Sequence, residues 1–210
     1  MTDGTFQAGA NSDDCYVYET GTSHPPWDWI LAGSTNWLIC AKPTTWYNGI
    51  GMRFVTVNIP NSATITAAYI NFTAYDDENG AGVVRSTIQG EASDNAITFS
   101  TVANYNGRSR TSTPVNWNNL AGWTHDVVYA SPSIIGIIQE IVNRAGWVSG
   151  NALVLFWEDN SSDSSSERTA WAYKGSAAKS PVLHVSWTVT APTIPPVEET
   201  YVERFGLNIT

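Results

Sequence analysis

A chain of 210 residues has room for one core of about 150–190 residues plus ends, so a single domain without a second core is expected. Its 10 basic and 19 acidic residues give a formal net charge of −9, which repels phosphate backbones and anionic lipid headgroups and sets aside nucleic acid and membranes as partners. Only 14% of residues are charged while ten are tryptophan, a composition suited to large β surfaces, and no apolar run approaches the roughly 18 residues of a transmembrane helix.

The opening "MTDGTFQAGANSDDC" lacks the basic and apolar regions of a secretory signal, so residues 1–12 are expected to be an N-terminal extension. Export then implies either a leader already removed or release by cell lysis. Cys15 and Cys40 form neither a CxxC nor a Cys/His cluster, which leaves two readings open: two buried thiols, or one bridge between adjacent early strands.

Turn residues recur about every ten positions, and short β-branched and aromatic runs lie between them, the pattern of a sandwich. Strands are expected at 15–19, 37–41, 51–57, 64–75, 83–91, 113–117, 125–129, 152–158, 169–174 and 182–189. In "ATITAAYINFTAY" the set Ala68, Ile70, Phe72 and Ala74 is the more apolar and is expected to face the core, opposite Ile65, Ala67, Tyr69, Asn71 and Thr73.

One helix, about 132–145, is expected in "SPSIIGIIQEIVNRAG", capped by Ser131, with Pro132 at its first position and Gly146 ending it. Ile134, Ile137, Ile138, Ile141 and Val142 then form one apolar stripe. Beyond residue 189, three prolines within Pro192–Pro196 favour an extended connector. The apolar Tyr201, Phe205, Leu207 and Ile209 suggest that residues 190–210 are an arm docking on a neighbouring subunit.

Chemistry is sparse. "YDDENGAG" groups Asp76, Asp77 and Glu78, with Glu91 and Asp94 further on, as weak calcium candidates, although the spacing is not that of an EF-hand and polar hairpin tips are common. No other cofactor is implied. "EDNSSDSSSER", with Glu158, Asp159, Asp163 and Glu167, reads as a solvated connector. No acid pair is singled out for glycoside hydrolysis, and His24, His125 and His184 accompany no nucleophile motif, so the protein is expected not to be an enzyme. The segment "SHPPWDWILAGSTNWLICAKPTTWYNG" concentrates aromatic residues among turn formers. Trp27, Trp29, Trp46 and Tyr47 are its candidate contact residues, for sugar rings or for a protein interface, with core filling as the plain alternative. The Pro25-Pro26 pair places Trp27 and Trp29 in a loop.

The run "GMRFVTVNIPNSATITAAYINFTAY", followed by "IQGEASDNAITFS", "IIQEIVNRAGWVSGNALVLF" and "SPVLHVSW", resembles the DNRLRE-like domains, β-sandwich modules related in shape to carbohydrate-binding modules, over about Asp13 to Thr188. The resemblance implies an all-β, jelly-roll-like antiparallel β-sandwich at 13–189, with one short α-helix and no shared catalytic apparatus. Such modules look like appendages of cell-surface proteins, polysaccharide enzymes and bacteriophage virion proteins. The leading expectation is therefore a structural protein of a virion surface, a capsid decoration (cement) protein or tail component. It would reach the extracellular space by lysis, contact other virion proteins and itself, and form a homo-oligomer, plausibly a trimer. The alternative is a carbohydrate-binding module of an adhesin or polysaccharide-degrading system.

Overall fold

The ten-residue strand β6 (Thr64–Thr73) sets the frame. Ala68, Ile70, Phe72 and, just beyond the strand, Ala74 are buried, as the alternation requires. Ile65 is buried as well, out of phase with them. Opposite β12 (Val182–Thr188), Ile65 faces Trp187 and Ala67 faces Ser186, so Thr66 is an extra residue, and this bulge turns Ile65 back toward the core.

A computed structural model describes residues 1–20, 25–42, 46–78 and 82–189. The architecture is an antiparallel β-sandwich with few helices. Besides β6 and β12, its strands are β1 (Thr2–Phe6), β2 (Asp14–Glu19), β3 (Trp29–Ala32), β4 (Trp37–Lys42), β5 (Tyr47–Phe54), β7 (Arg85–Gly90), β8 (Val115–Asn118), β9 (Val128–Ala130), β10 (Leu153–Asp159) and β11 (Ser166–Trp171). The smaller sheet runs β1-β12-β6-β9. The larger runs β11-β4-β5-β10-β7-β8, and β2 and β3 extend it from β5. Strand β4 meets β5 only at Ala41 and Asn48, whereas β2 pairs with β5 from Asp14 to Glu19.

Ile70, Phe72, Leu183 and Val185 of the smaller sheet pack on Ile50, Met52, Phe54, Leu155 and Trp157 of the larger, and helix α2 (Ile135–Val142) closes one end with Ile137, Ile138, Ile141 and Val142 fully buried. The helix is shorter than its sequence indicates. Ser131 does not cap it: its Oγ accepts from the amide of Ile70 at 3.0 Å, and Ile134, whose own amide is tied to Ala68, occupies the N-cap. Gly146 does not end it either, since Asn143 is the C-cap. Asn61, in the turn before β6, donates to the carbonyls of Val142 and Arg144 at that end. Trp147 covers the core there and donates Nε1–H to the carbonyl of Ile59.

Two further departures matter for the site. Residues 2–6, expected to lie outside the sandwich, form an edge strand with Thr2 opposite Trp187 and Phe6 opposite Leu183. A second apolar cluster also exists, on the outer face of the larger sheet: Cys15, Val17, Val154 and Phe156 are roofed by Trp27, Ala96, Phe99 and Tyr105, the last carried by helix α1 (Val102–Asn106). Cys15 lies in this outer cluster and Cys40 in the main core; both thiols are free. No helix among the described residues is long and apolar enough to cross a membrane.

Candidate functional site

Strand β2 reads Asp-Cys-Tyr-Val-Tyr-Glu, and its alternation sends Cys15 and Val17 to the outer cluster and Tyr16 and Tyr18 to the opposite face. Tyr16 is buried at the margin of the main core, while Tyr18 is only partly covered. Directly across the β2–β3 pair from Tyr18 is Trp29, whose ring lies at 6.3 Å and 11° from it. Trp46, just before β5, stacks on Tyr18 at 5.5 Å and 16°. Three nearly parallel rings thus stand together, and the outer two are open to solvent, Trp29 at 59% and Trp46 at 47% exposed.

The row continues along the molecule. Tyr18 adjoins Tyr16, which stacks on Trp37 at 5.2 Å; Trp37 neighbours Tyr75, and Tyr75 meets Trp171 edge-on at 4.8 Å. Trp171 is held by an indole N–H bond to Asp126 Oδ1 at 2.9 Å, and Lys179 both lies over its ring and pairs with Asp126 Oδ2. These polar ties fix the far end, whereas Trp29 and Trp46 are held chiefly by packing on Tyr18.

The four aromatic residues singled out from the sequence therefore separate. Trp29 and Trp46 are brought together around Tyr18. Tyr47 falls on the other face of the sheet, half-buried against the outer cluster. Trp29, expected in a loop with Trp27, begins strand β3 instead; Trp27 does lie in the loop but is 3% exposed and covers Gly49, where a Cβ would sit 3.0 Å from its ring. Asn106 clamps it, accepting from the Trp27 amide at 3.0 Å and donating to its carbonyl at 2.8 Å. The structure removes Trp27 from the exposed set because two distant segments form its seat. Trp37 belongs to the aromatic-rich segment already noted in the sequence, whereas Tyr16 and Tyr18 were missed as partners, although the Tyr-Val-Tyr alternation of β2 is the signal that puts two rings on one face.

The acidic turn resolves differently. Asp76, Asp77 and Glu78 line an open recess with His125, Glu167 and Thr169, but each of the last two acids has a structural partner. Asp77 Oδ1 accepts from the His125 amide at 2.7 Å, and Glu78 Oε2 from the Thr169 amide at 2.6 Å. Burial pushes the Glu78 carboxyl up to about 7, against the opposing hydrogen bonds from Thr169. Among the described residues no group of three His, Cys, Asp or Glu side chains is arranged to hold a metal ion. His24 and the C-terminal Tyr201, Phe205, Leu207 and Ile209 lie outside the described residues.

No family model matches the chain, and no curated protein matches it.

Proposed function

We propose that this protein is a non-catalytic recognition sandwich whose Trp29–Tyr18–Trp46 rim packs against the ring faces of a surface glycan. The observation that carries this reading is the pair of exposed indoles flanking Tyr18 in near-parallel orientation. An indole face carries the negative lobe of the ring quadrupole and complements the C–H face of a sugar, and rings already stacked on one another lose little freedom on binding. The net charge of −9 supports a neutral or cationic surface over a polyanion. A glycan array probed with the wild type and with Trp29→Ala and Trp46→Ala tests it. Selective retention that falls at least tenfold in either variant is expected, and retention unchanged in both contradicts the reading.

A second reading, a structural component of a virion surface working through subunit contacts, has its own support. Strand β9 pairs only with β6 among the described residues, and Val127 and Val128 beside its open edge are 44% and 53% exposed. Such an edge offers both backbone groups and apolar surface to a neighbour. Val128→Lys separates the two: loss of self-association or of particle binding with glycan retention intact supports subunit contact at β9. Unchanged assembly removes that support.

A further inference from the structure

The outer face of an antiparallel sandwich sheet is commonly left to water. Here residues 91–110 and 25–32 cover part of it, and where this roof stops, strands β7 and β10 floor a polar cleft of about 370 Å³ lined by Trp27, Gln89, Arg110, Glu158, Asn160 and Ser161 among others. A cleft of this volume is at the small end of the range for ligand sites.

Glu158 is its centre. One carboxylate oxygen, Oε1, accepts three hydrogen bonds: from Tyr105 Oη at 2.8 Å, Arg110 Nη2 at 2.9 Å and Trp27 Nε1 at 3.2 Å. The Arg110 guanidinium is itself fixed, lying 3.3 Å over the Phe156 ring and donating to the Arg108 carbonyl. The other oxygen, Oε2, accepts from no described residue, and the side chain is 18% exposed. Three donors hold one oxygen in place, and the second is thereby presented toward the cleft as a fixed acceptor. The amide of Asn160 and the hydroxyl of Ser161 stand beside it with no partner for either side chain among the described residues, and Gln89 spends its amide nitrogen on the Thr111 carbonyl.

The charge around the cleft selects the ligand. Arg108 is already bound to Glu91 at 2.6 Å and Arg110 to Glu158, while the Asp159 carboxylate accepts from the amides of Ser161 and Ser162. Both arginines that line the cleft are thus already paired with a carboxylate, and the open oxygen of Glu158 repels a further anion, which disfavours a carboxylate or phosphate. What fits is a small donor of several hydroxyls with an uncharged frame.

We infer that the cleft beside Glu158 is a second ligand site that takes one neutral polyhydroxylated ring of pyranose size, with Glu158 Oε2 accepting from its hydroxyls. It lies on the face of the sheet opposite the Trp29–Trp46 rim and stands or falls without it.

The test is a two-dimensional amide NMR titration of the full chain with methyl β-glucopyranoside, methyl β-galactopyranoside, methyl α-mannopyranoside and N-acetylglucosamine, with glucuronate and inorganic phosphate alongside. Saturable shifts of residues 158–161 and 110 with at least one neutral sugar are expected. They should persist in Trp29→Ala/Trp46→Ala, weaken at least tenfold in Glu158→Gln, and weaken severalfold in Asn160→Ala, an exposed position whose backbone bond to Arg85 the substitution keeps. No saturable shift with any neutral sugar, equal affinity in Asn160→Ala, a preference for glucuronate or phosphate, or loss of the shifts in the rim double variant overturns the inference.

Discussion

Replacing Gly51 by alanine probes the roofed outer face most sharply. A Cβ at this position would lie 2.5 Å from Phe99 Cζ, 2.8 Å from Phe99 Cε1 and 2.9 Å from Cys15 Sγ. Comfortable carbon–carbon contact begins near about 3.5 Å, so the methyl overlaps the phenyl ring by about 1 Å. Phe99 has little room to swing aside: Tyr105 is 5.9 Å from it, Phe156 closes it edge-on at 6.5 Å, and the Arg108 guanidinium lies 4.5 Å over its face. Overpacking of this kind costs about 1–3 kcal/mol, which outweighs the gain of about 0.5–1 kcal/mol from removing a glycine from a strand. A net loss of about 0.5–2 kcal/mol lowers Tm by about 1–8 °C for a chain of this size. Differential scanning calorimetry should show this drop, and Phe99→Leu in the same chain should recover part of it, because the two positions share one contact. An unchanged Tm in Gly51→Ala, or additive losses in the double variant, refutes the claim that Phe99 rests directly on the strand backbone.

Three further outcomes follow from single contacts. Gly136 lies in α2 with only Thr113 Cγ2 near its missing Cβ, at 3.9 Å, so Gly136→Ala should stabilise by about 0.5 kcal/mol in urea unfolding. Ser86 is fully buried and its Oγ receives Trp157 Nε1–H at 2.7 Å; Ser86→Ala strands that donor and should destabilise by about 1–3 kcal/mol in the same assay, with little change expected only if water reaches the indole. Burial lifts the carboxyls of Asp14 and Glu78 from 3.8 and 4.5 to about 7 each. The folded chain therefore holds protons between about pH 4 and 7 that the unfolded chain has released, and these two groups make stability fall as pH rises through that window. Thermal scans from pH 5 to 8 should show the decline, flattened in Asp14→Asn, whose side-chain oxygen can still accept from the Tyr173 amide. A decline equally steep in the variant contradicts this assignment.

Much of the frame was legible because alternation is local. The inward set Ala68, Ile70, Phe72 and Ala74 and the helical stripe from Ile134 to Val142 each depend on one element's own period. Ile65 escaped because a bulge is a property of a strand pair, and Ser131 because its hydroxyl is claimed by the Ile70 amide, 61 residues away. Strand β1 was missed for want of apolar alternation: in Thr-Asp-Gly-Thr-Phe only Phe6 is buried, and the strand exists through its pairing with β12. The candidate site divides along the same line. The concentration of tryptophan before residue 47 points to Trp29 and Trp46, yet nothing local separates them from Trp27, whose burial depends on Gly49 beneath it and Asn106 beside it. Glu158, expected both in a strand over 152–158 and at the start of a solvated loop, lies within β10, and its three donors come from residues 27, 105 and 110, which no local pattern links to it.

The most direct test of the recognition claim is a calorimetric binding isotherm for the best-retained glycan, measured with the wild type and with the Trp29→Ala/Trp46→Ala double variant at equal, verified fold. Removing both indoles should weaken binding by at least about 1.4 kcal/mol, a tenfold rise in Kd. An isotherm that superimposes on the wild-type curve would place recognition elsewhere on the sandwich and remove the rim from the account.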